Sequence, residues 1–228
     1  MSKFLMSLLA LSVSCSLSAG GSDEKNSPWA TKAKQQTSVG SLYYRDTGPS
    51  DKPVLVCLHA NSTSGRFFGP LAEELKSDYR VIAIDAPGHG KSDNALEPQE
   101  ENYSWPKISK AYLEVLDGLG IESFNLLGWS KGGHEAEHVL ANGNGRVQSL
   151  IITGTPPLPM DLSALSRAFK APLTEAGSAD QFTEDQARSF AQVAGINVDF
   201  AVKTAMRTDG KARSLMMKSA IAGNRVDE

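Results

Sequence analysis

The sequence predicts an α/β fold: a mostly parallel sheet with helices on both faces, followed by a helical block. Three observations carry that prediction. Short uninterrupted apolar runs such as Val54-Leu55-Val56-Cys57-Leu58 have the pattern of strands buried on both faces. Segments with apolar residues at helical spacing alternate with those runs, as in parallel strands joined by crossover helices. The 228 residues are 40% hydrophobic and 21% charged, an ordinary balance for a chain that buries its core without disulfides or metals.

The elements follow in order. Ser41 to Arg45 reads as a strand, stopped by the turn signal Asp46-Thr47-Gly48-Pro49-Ser50. Val54 to Leu58 is the first buried strand, and Phe67, Phe68, Leu71 and Leu75 then mark a helix. Val81 to Ile84 is the second. Ile108, Ala111, Tyr112, Val115, Leu116 and Leu119 form one apolar face of a helix. Phe124 to Gly128 is the third, and Lys131 to Ala141 is a helix stopped by Asn142-Gly143. Val147 to Thr153 is the fourth. Beyond Pro159 only helical patterns remain: Leu162 to Phe169, Thr183 to Val193, Val198 to Met206 and Ala212 to Ile221. Thr183-Glu184-Asp185-Gln186 resembles a capping box. The expected organisation is an export signal over residues 1–20, a polar linker over 21–36, the α/β core over 37–157 and a helical cap over 158–228.

The N-terminal expectation rests on Lys3, the apolar run from Phe4 to Leu17 and the small residues Ser18-Ala19-Gly20. They describe a secretory signal cleaved after Gly20, hence a periplasmic or secreted protein. Leu11-Ser12-Val13-Ser14-Cys15 weakly resembles a lipoprotein signal, so membrane attachment is expected only if Cys15 is lipidated. Cys57 lies in an apolar run and reads as a buried strand residue, not a nucleophile. The net charge of −3 and the absence of a basic cluster argue against a nucleic-acid partner. A mean hydropathy of −0.26 excludes a polytopic membrane protein.

Gly128-Trp129-Ser130-Lys131-Gly132-Gly133 contains G-x-S-x-G. It follows a buried strand and opens a helix, the setting of a nucleophile elbow. Glycine flanks let backbone approach closely around a serine held on a strained turn. The helix N-terminus beyond it favours developing negative charge. His59-Ala60-Asn61-Ser62 and Asp85-Ala86-Pro87-Gly88-His89-Gly90-Lys91-Ser92-Asp93 each directly follow a predicted strand.

With these three motifs in order, the chain resembles the α/β-hydrolase superfamily, in its branch with a helical cap. The resemblance implies Ser130 as nucleophile, and the backbone N–H groups of Asn61 and Lys131 as the oxyanion hole. Ala60 departs from the family's usual Gly. The resemblance also implies that His59 braces the oxyanion loop, that His89 anchors the loop after the second buried strand, and that Trp129 can line the pocket. It disfavours dehalogenase and epoxide-hydrolase chemistry, which places Asp where Ser130 stands. The implied activity is acyl-enzyme hydrolysis of a small ester or amide, without a cofactor.

The family's triad runs Ser, acid, His, with acid and His supplied after the cap. The four histidines are His59, His89, His134 and His138. The acid and His are therefore expected beyond Glu228, the chain reading as a fragment. A non-catalytic ligand-binding pseudohydrolase is the alternative. A remote one is a zinc metalloprotease, since His134-Glu135-Ala136-Glu137-His138 fits two zinc motifs. Its position on the elbow helix, without an identifiable third ligand, favours instead an exposed polar helix face and no metal. The oligomeric state is not legible in the sequence.

Overall fold

The computed structural model describes residues 27–155, 179–193 and 199–221. The expected signal with Cys15, the helix Leu162 to Phe169 and the boundary between core and cap lie outside the described residues. Six strands form one sheet in the order β1-β2-β4-β3-β5-β6: β1 (Thr31–Thr37), β2 (Gly40–Asp46), β3 (Val54–Leu58), β4 (Arg80–Ile84), β5 (Phe124–Trp129) and β6 (Val147–Thr153). β1 and β2 pair antiparallel, and β2 pairs antiparallel with β4. β4, β3, β5 and β6 run parallel. The described helices are α1 (Gly69–Leu75), α2 (Gln99–Asn102), α3 (Trp105–Gly118), α4 (Lys131–Asn142), α5 (Glu184–Val193), α6 (Asp199–Arg207) and α7 (Gly210–Ile221). Among the described residues no helix is long and apolar enough to cross a membrane.

Strand periodicity divides the core in two. Val56, Leu58, Ile82, Ile84 and Leu126 face Ile108, Tyr112 and Leu116 of α3 and Ala136 and Val139 of α4. The intervening Leu55, Cys57, Val81, Ala83 and Leu127 face Phe68, Leu71, Ala72 and Leu75 on and beside α1. Successive strand residues point to opposite faces, so uninterrupted apolar runs need helices on both. Cys57 is fully buried, and burial pushes its thiol pKa up, as expected of a packing residue. A third cluster joins Phe182, Ala187 and Ala191 to Ala201, Val202 and Ala205, packed against Phe67 and Trp129.

Three expectations are corrected here. The segment expected as linker over 21–36 contains most of β1, which forms a hairpin with β2 through Ser38-Val39. Its side chains alternate between half-buried and exposed without an apolar face, as suits an edge strand. β6, expected to be buried, is half-exposed. Among the described strands only β5 pairs with it, so it forms the other edge. The helix expected from Phe67 begins as a 3-10 turn (Gly65–Phe68), with Pro70 in the first turn of α1.

Candidate active site

Parallel pairing brings the C-terminal ends of β3 and β5 side by side, with Leu58 opposite Gly128. The loops that follow, His59 to Ser64 and the turn at Ser130, therefore meet at one end of the sheet. Ligand sites of open α/β sheets lie at that end.

Ser130 joins β5 to α4 with φ 54° and ψ −118°. An L residue adopts this conformation at a cost of about 1–3 kcal/mol, and only where its surroundings enforce it. Its N–H donates to Thr153 O at 2.9 Å, while its carbonyl accepts from Gly133 N–H at 2.8 Å and Thr155 Oγ1 at 2.9 Å. The glycines leave the room this turn needs. A Cβ on Gly132 would lie 2.3 Å from Leu58 O, and one on Gly128 would lie 2.5 Å from Gly132 O. Ser130 thus stands at the N-cap of α4, beside the first-turn N–H groups that have no partner within the helix.

The loop after β3 is held by its own polar groups. His59 Nδ1 lies 2.8 Å from Ala60 O, and His59 Nε2 accepts the Ala86 N–H at 2.9 Å. Together these bonds specify a neutral imidazole carrying its proton on Nδ1. Thr63 Oγ1 also donates to Ala60 O at 2.7 Å. His89 Nδ1 lies 3.0 Å from Pro87 O, and its Nε2 faces Asn61 Oδ1 at 3.5 Å. The His59 and His89 rings are 5.2 Å apart. Burial lowers both pKa values well below the ordinary histidine value, and the Lys131 cation lowers them further. Both histidines brace loops, and Asn61 is half-buried between them and the solvent. Lys131 follows Ser130 at the start of α4, and the Gly132 contact with Leu58 brings this turn against the end of β3.

Trp129 is half-buried and touches both the α1 side of the core and the third cluster, of α5 and α6. Phe67 lies 6.1 Å from it and 4.7 Å from Phe200 of α6, forming an aromatic bridge from the end of β5 to α6. The expected exposed face of α4 is corrected. His134 and His138 are buried, with their rings 5.2 Å and 5.8 Å from that of Trp105 at the start of α3. An indole from another helix covers what the sequence alone presents as a polar stripe. Among the described residues no three His, Cys, Asp or Glu side chains group to hold a metal ion.

Several participants were not singled out from sequence. The Lys131 ammonium pairs with Glu135 at 2.7 Å, and the same carboxylate accepts the Tyr112 hydroxyl at 2.8 Å. The spacing of Lys131 and Glu135 by four residues was a readable signal. Tyr112 gave none beyond its place on an apolar face. Arg213 of α7 is buried, stacks 4.4 Å over Phe182 and donates to Ala179 O at 2.8 Å.

Comparison with known proteins agrees with this fold. The model of the alpha/beta hydrolase fold family matches residues 53–195, and the chain belongs to that family. A stretch of 147 residues is 33% identical to a 2-hydroxy-6-oxononadienedioate/2-hydroxy-6-oxononatrienedioate hydrolase of Paraburkholderia phymatum, covering 59% of this chain and 50% of that protein. The corresponding hydrolase of an Escherichia coli strain is 29% identical over the same shares. The match thus spans about half the length of these relatives. The crystal structure of the N-acyl homoserine lactonase AidH, complexed with N-butanoyl homoserine, superposes with a TM-score of 0.77 and 30% identity. That superposition covers 86% of this chain and 71% of the lactonase. A Pseudomonas aeruginosa hydrolase shares the fold, with a TM-score of 0.63 and 22% identity over 87% of this chain and 74% of that one.

Proposed function

We propose that this chain is a serine hydrolase, exported to the periplasm or beyond, that cleaves a small ester, amide or lactone through an acyl-enzyme on Ser130. The hydrolase relatives support the general class. The observation that carries the serine assignment is the enforced positive φ of Ser130 between β5 and α4. Attack by Ser130 Oγ on the acyl carbon drives the carbonyl electron pair onto oxygen. The N–H groups of Lys131 and Asn61 then receive that oxyanion. The leaving alcohol or amine departs with a proton, and water releases the acid. The AidH likeness brings lactones, which are cyclic esters, into the substrate class. Export rests on the leader pattern ending at Gly20.

The mechanism requires a base at Ser130 Oγ, and the family pattern supplies it from a His after the cap. Activity is therefore measured on protein purified from its source, with p-nitrophenyl butyrate and N-butanoyl homoserine lactone. Ser130→Ala should reduce turnover by at least about 100-fold while the fold persists. Undiminished turnover contradicts the assignment. One observation favours a second reading, a binding protein without turnover. His59 and His89 brace loops, His134 stacks on Trp105, and the His138 ring lies tilted 5.8 Å from the same indole. Saturable binding of the lactone without its hydrolysis would support that reading.

A further inference from the structure

We propose that the Lys131 side chain is a positioning residue of the elbow. Through Glu135 and Tyr112 it fixes the first turn of α4 against α3, and so aims the Lys131 N–H at the oxyanion. The inference rests on the reading of Ser130 as nucleophile. Lys131 Nζ lies 2.7 Å from Glu135 Oε1, and the two side chains are only 7% and 0% exposed. Glu135 Oε2 accepts the Tyr112 hydroxyl at 2.8 Å, so both carboxylate oxygens are engaged from two helices. A surface lysine one turn before a glutamate would add little to a helix. Here the pair is enclosed, so removing one partner would leave the other buried and uncompensated.

The network sits where the backbone is under strain. Ser130 holds its positive φ only while the first turn of α4 stays in register with the ends of β3 and β6. Gly132 and Gly133 give that register through close contact, but glycines bring no side chain to hold it. Lys131 is the first residue of α4 and also carries one of the two assigned oxyanion donors. Its ammonium is engaged by Glu135, so the side chain is assigned a part in placing its own backbone N–H.

The test replaces the network with apolar residues of similar size, Lys131→Met with Glu135→Leu and Tyr112→Phe. This leaves no buried charge uncompensated and so preserves folding. The expected result is at least a tenfold fall in kcat for p-nitrophenyl butyrate, with KM within twofold. Amide exchange in peptides spanning 129–136 should also quicken. Wild-type kcat, or unchanged exchange in that segment, overturns the inference. Ser130→Ala, assayed in parallel, separates the two ideas. Turnover surviving in Ser130→Ala removes the nucleophile reading. Where no turnover is measurable, the exchange comparison alone decides whether the Lys131 network fixes the turn.

Discussion

Asp85 and Arg45 form a buried ion pair, with Arg45 Nη1 2.7 Å from Asp85 Oδ1. The same carboxylate accepts the Gly65 N–H at 2.7 Å and the Lys91 N–H at 2.8 Å. One side chain therefore ties β2, the turn before α1 and the loop after β4 together. Asp85→Ala would strand the Arg45 cation and two N–H groups in the interior. It should destabilise the protein by about 3–5 kcal/mol, the usual loss when one partner of a buried pair is removed. Urea titration measures this, and a loss below about 1 kcal/mol would show that the pair is dispensable.

Strain at Ser130 makes an opposite prediction. Glycine adopts a positive φ without penalty, so Ser130→Gly should stabilise the fold by about 1 kcal/mol while removing the hydroxyl. Thermal unfolding of the variant beside wild type gives the answer. A lower midpoint would mean that the serine hydroxyl contributes more to folding than the turn strains it.

His59 and His89 set a pH dependence. Both pKa values are depressed in the folded protein, first by desolvation and then by the Lys131 cation. The unfolded chain takes up protons near pH 6.5 while the folded chain does not, so the unfolded state binds more protons. Stability is then fully present above about pH 6.5 and falls as the pH drops, by up to about 1.4 kcal/mol per pH unit for each histidine. Unfolding free energies between pH 7 and pH 5 should show this slope, with a shallower one in His89→Gln. A flat profile over that range would contradict the burial of neutral imidazoles.

The helical block of α6 and α7 is docked by polar contacts at the turn between them. The Tyr103 hydroxyl donates to Asp209 Oδ2 at 2.5 Å, the Asp209 N–H donates to Gly88 O at 2.9 Å, and Arg207 Nη2 donates to Ser92 O at 3.1 Å. Asp209→Ala removes the carboxylate and leaves the Tyr103 hydroxyl short of a partner, a loss of about 1–3 kcal/mol. Limited proteolysis should then cut within residues 199–221 earlier than in wild type, with the sheet unaffected. Equal cleavage rates would show that apolar packing alone seats these helices.

The central strands were legible because burial on both faces leaves uninterrupted runs such as Val54 to Leu58 and Val81 to Ile84. The elbow was legible because glycine requirements are local, and Gly128 and Gly132 stand where backbone must touch backbone. β1 escaped because Lys32, Lys34 and Gln36 are exposed while Ala33 and Gln35 are only half-covered, so no apolar periodicity marks it. Gly40, at φ 128°, was the local hint of the hairpin. The burial of His134 and His138 escaped because Trp105 supplies it from another helix. Tyr112 hides its polar role for a related reason: its ring is core, and only the fold brings Glu135 to its hydroxyl.

The most direct test of the central claim is covalent labelling with a fluorophosphonate, followed by peptide mass mapping on protein purified from its source. An activated Ser130 predicts a single adduct on the peptide carrying Gly128 to Gly133, absent from Ser130→Ala and suppressed by p-nitrophenyl butyrate. No adduct at Ser130, or equal labelling of Ser130→Ala, would contradict the serine hydrolase assignment.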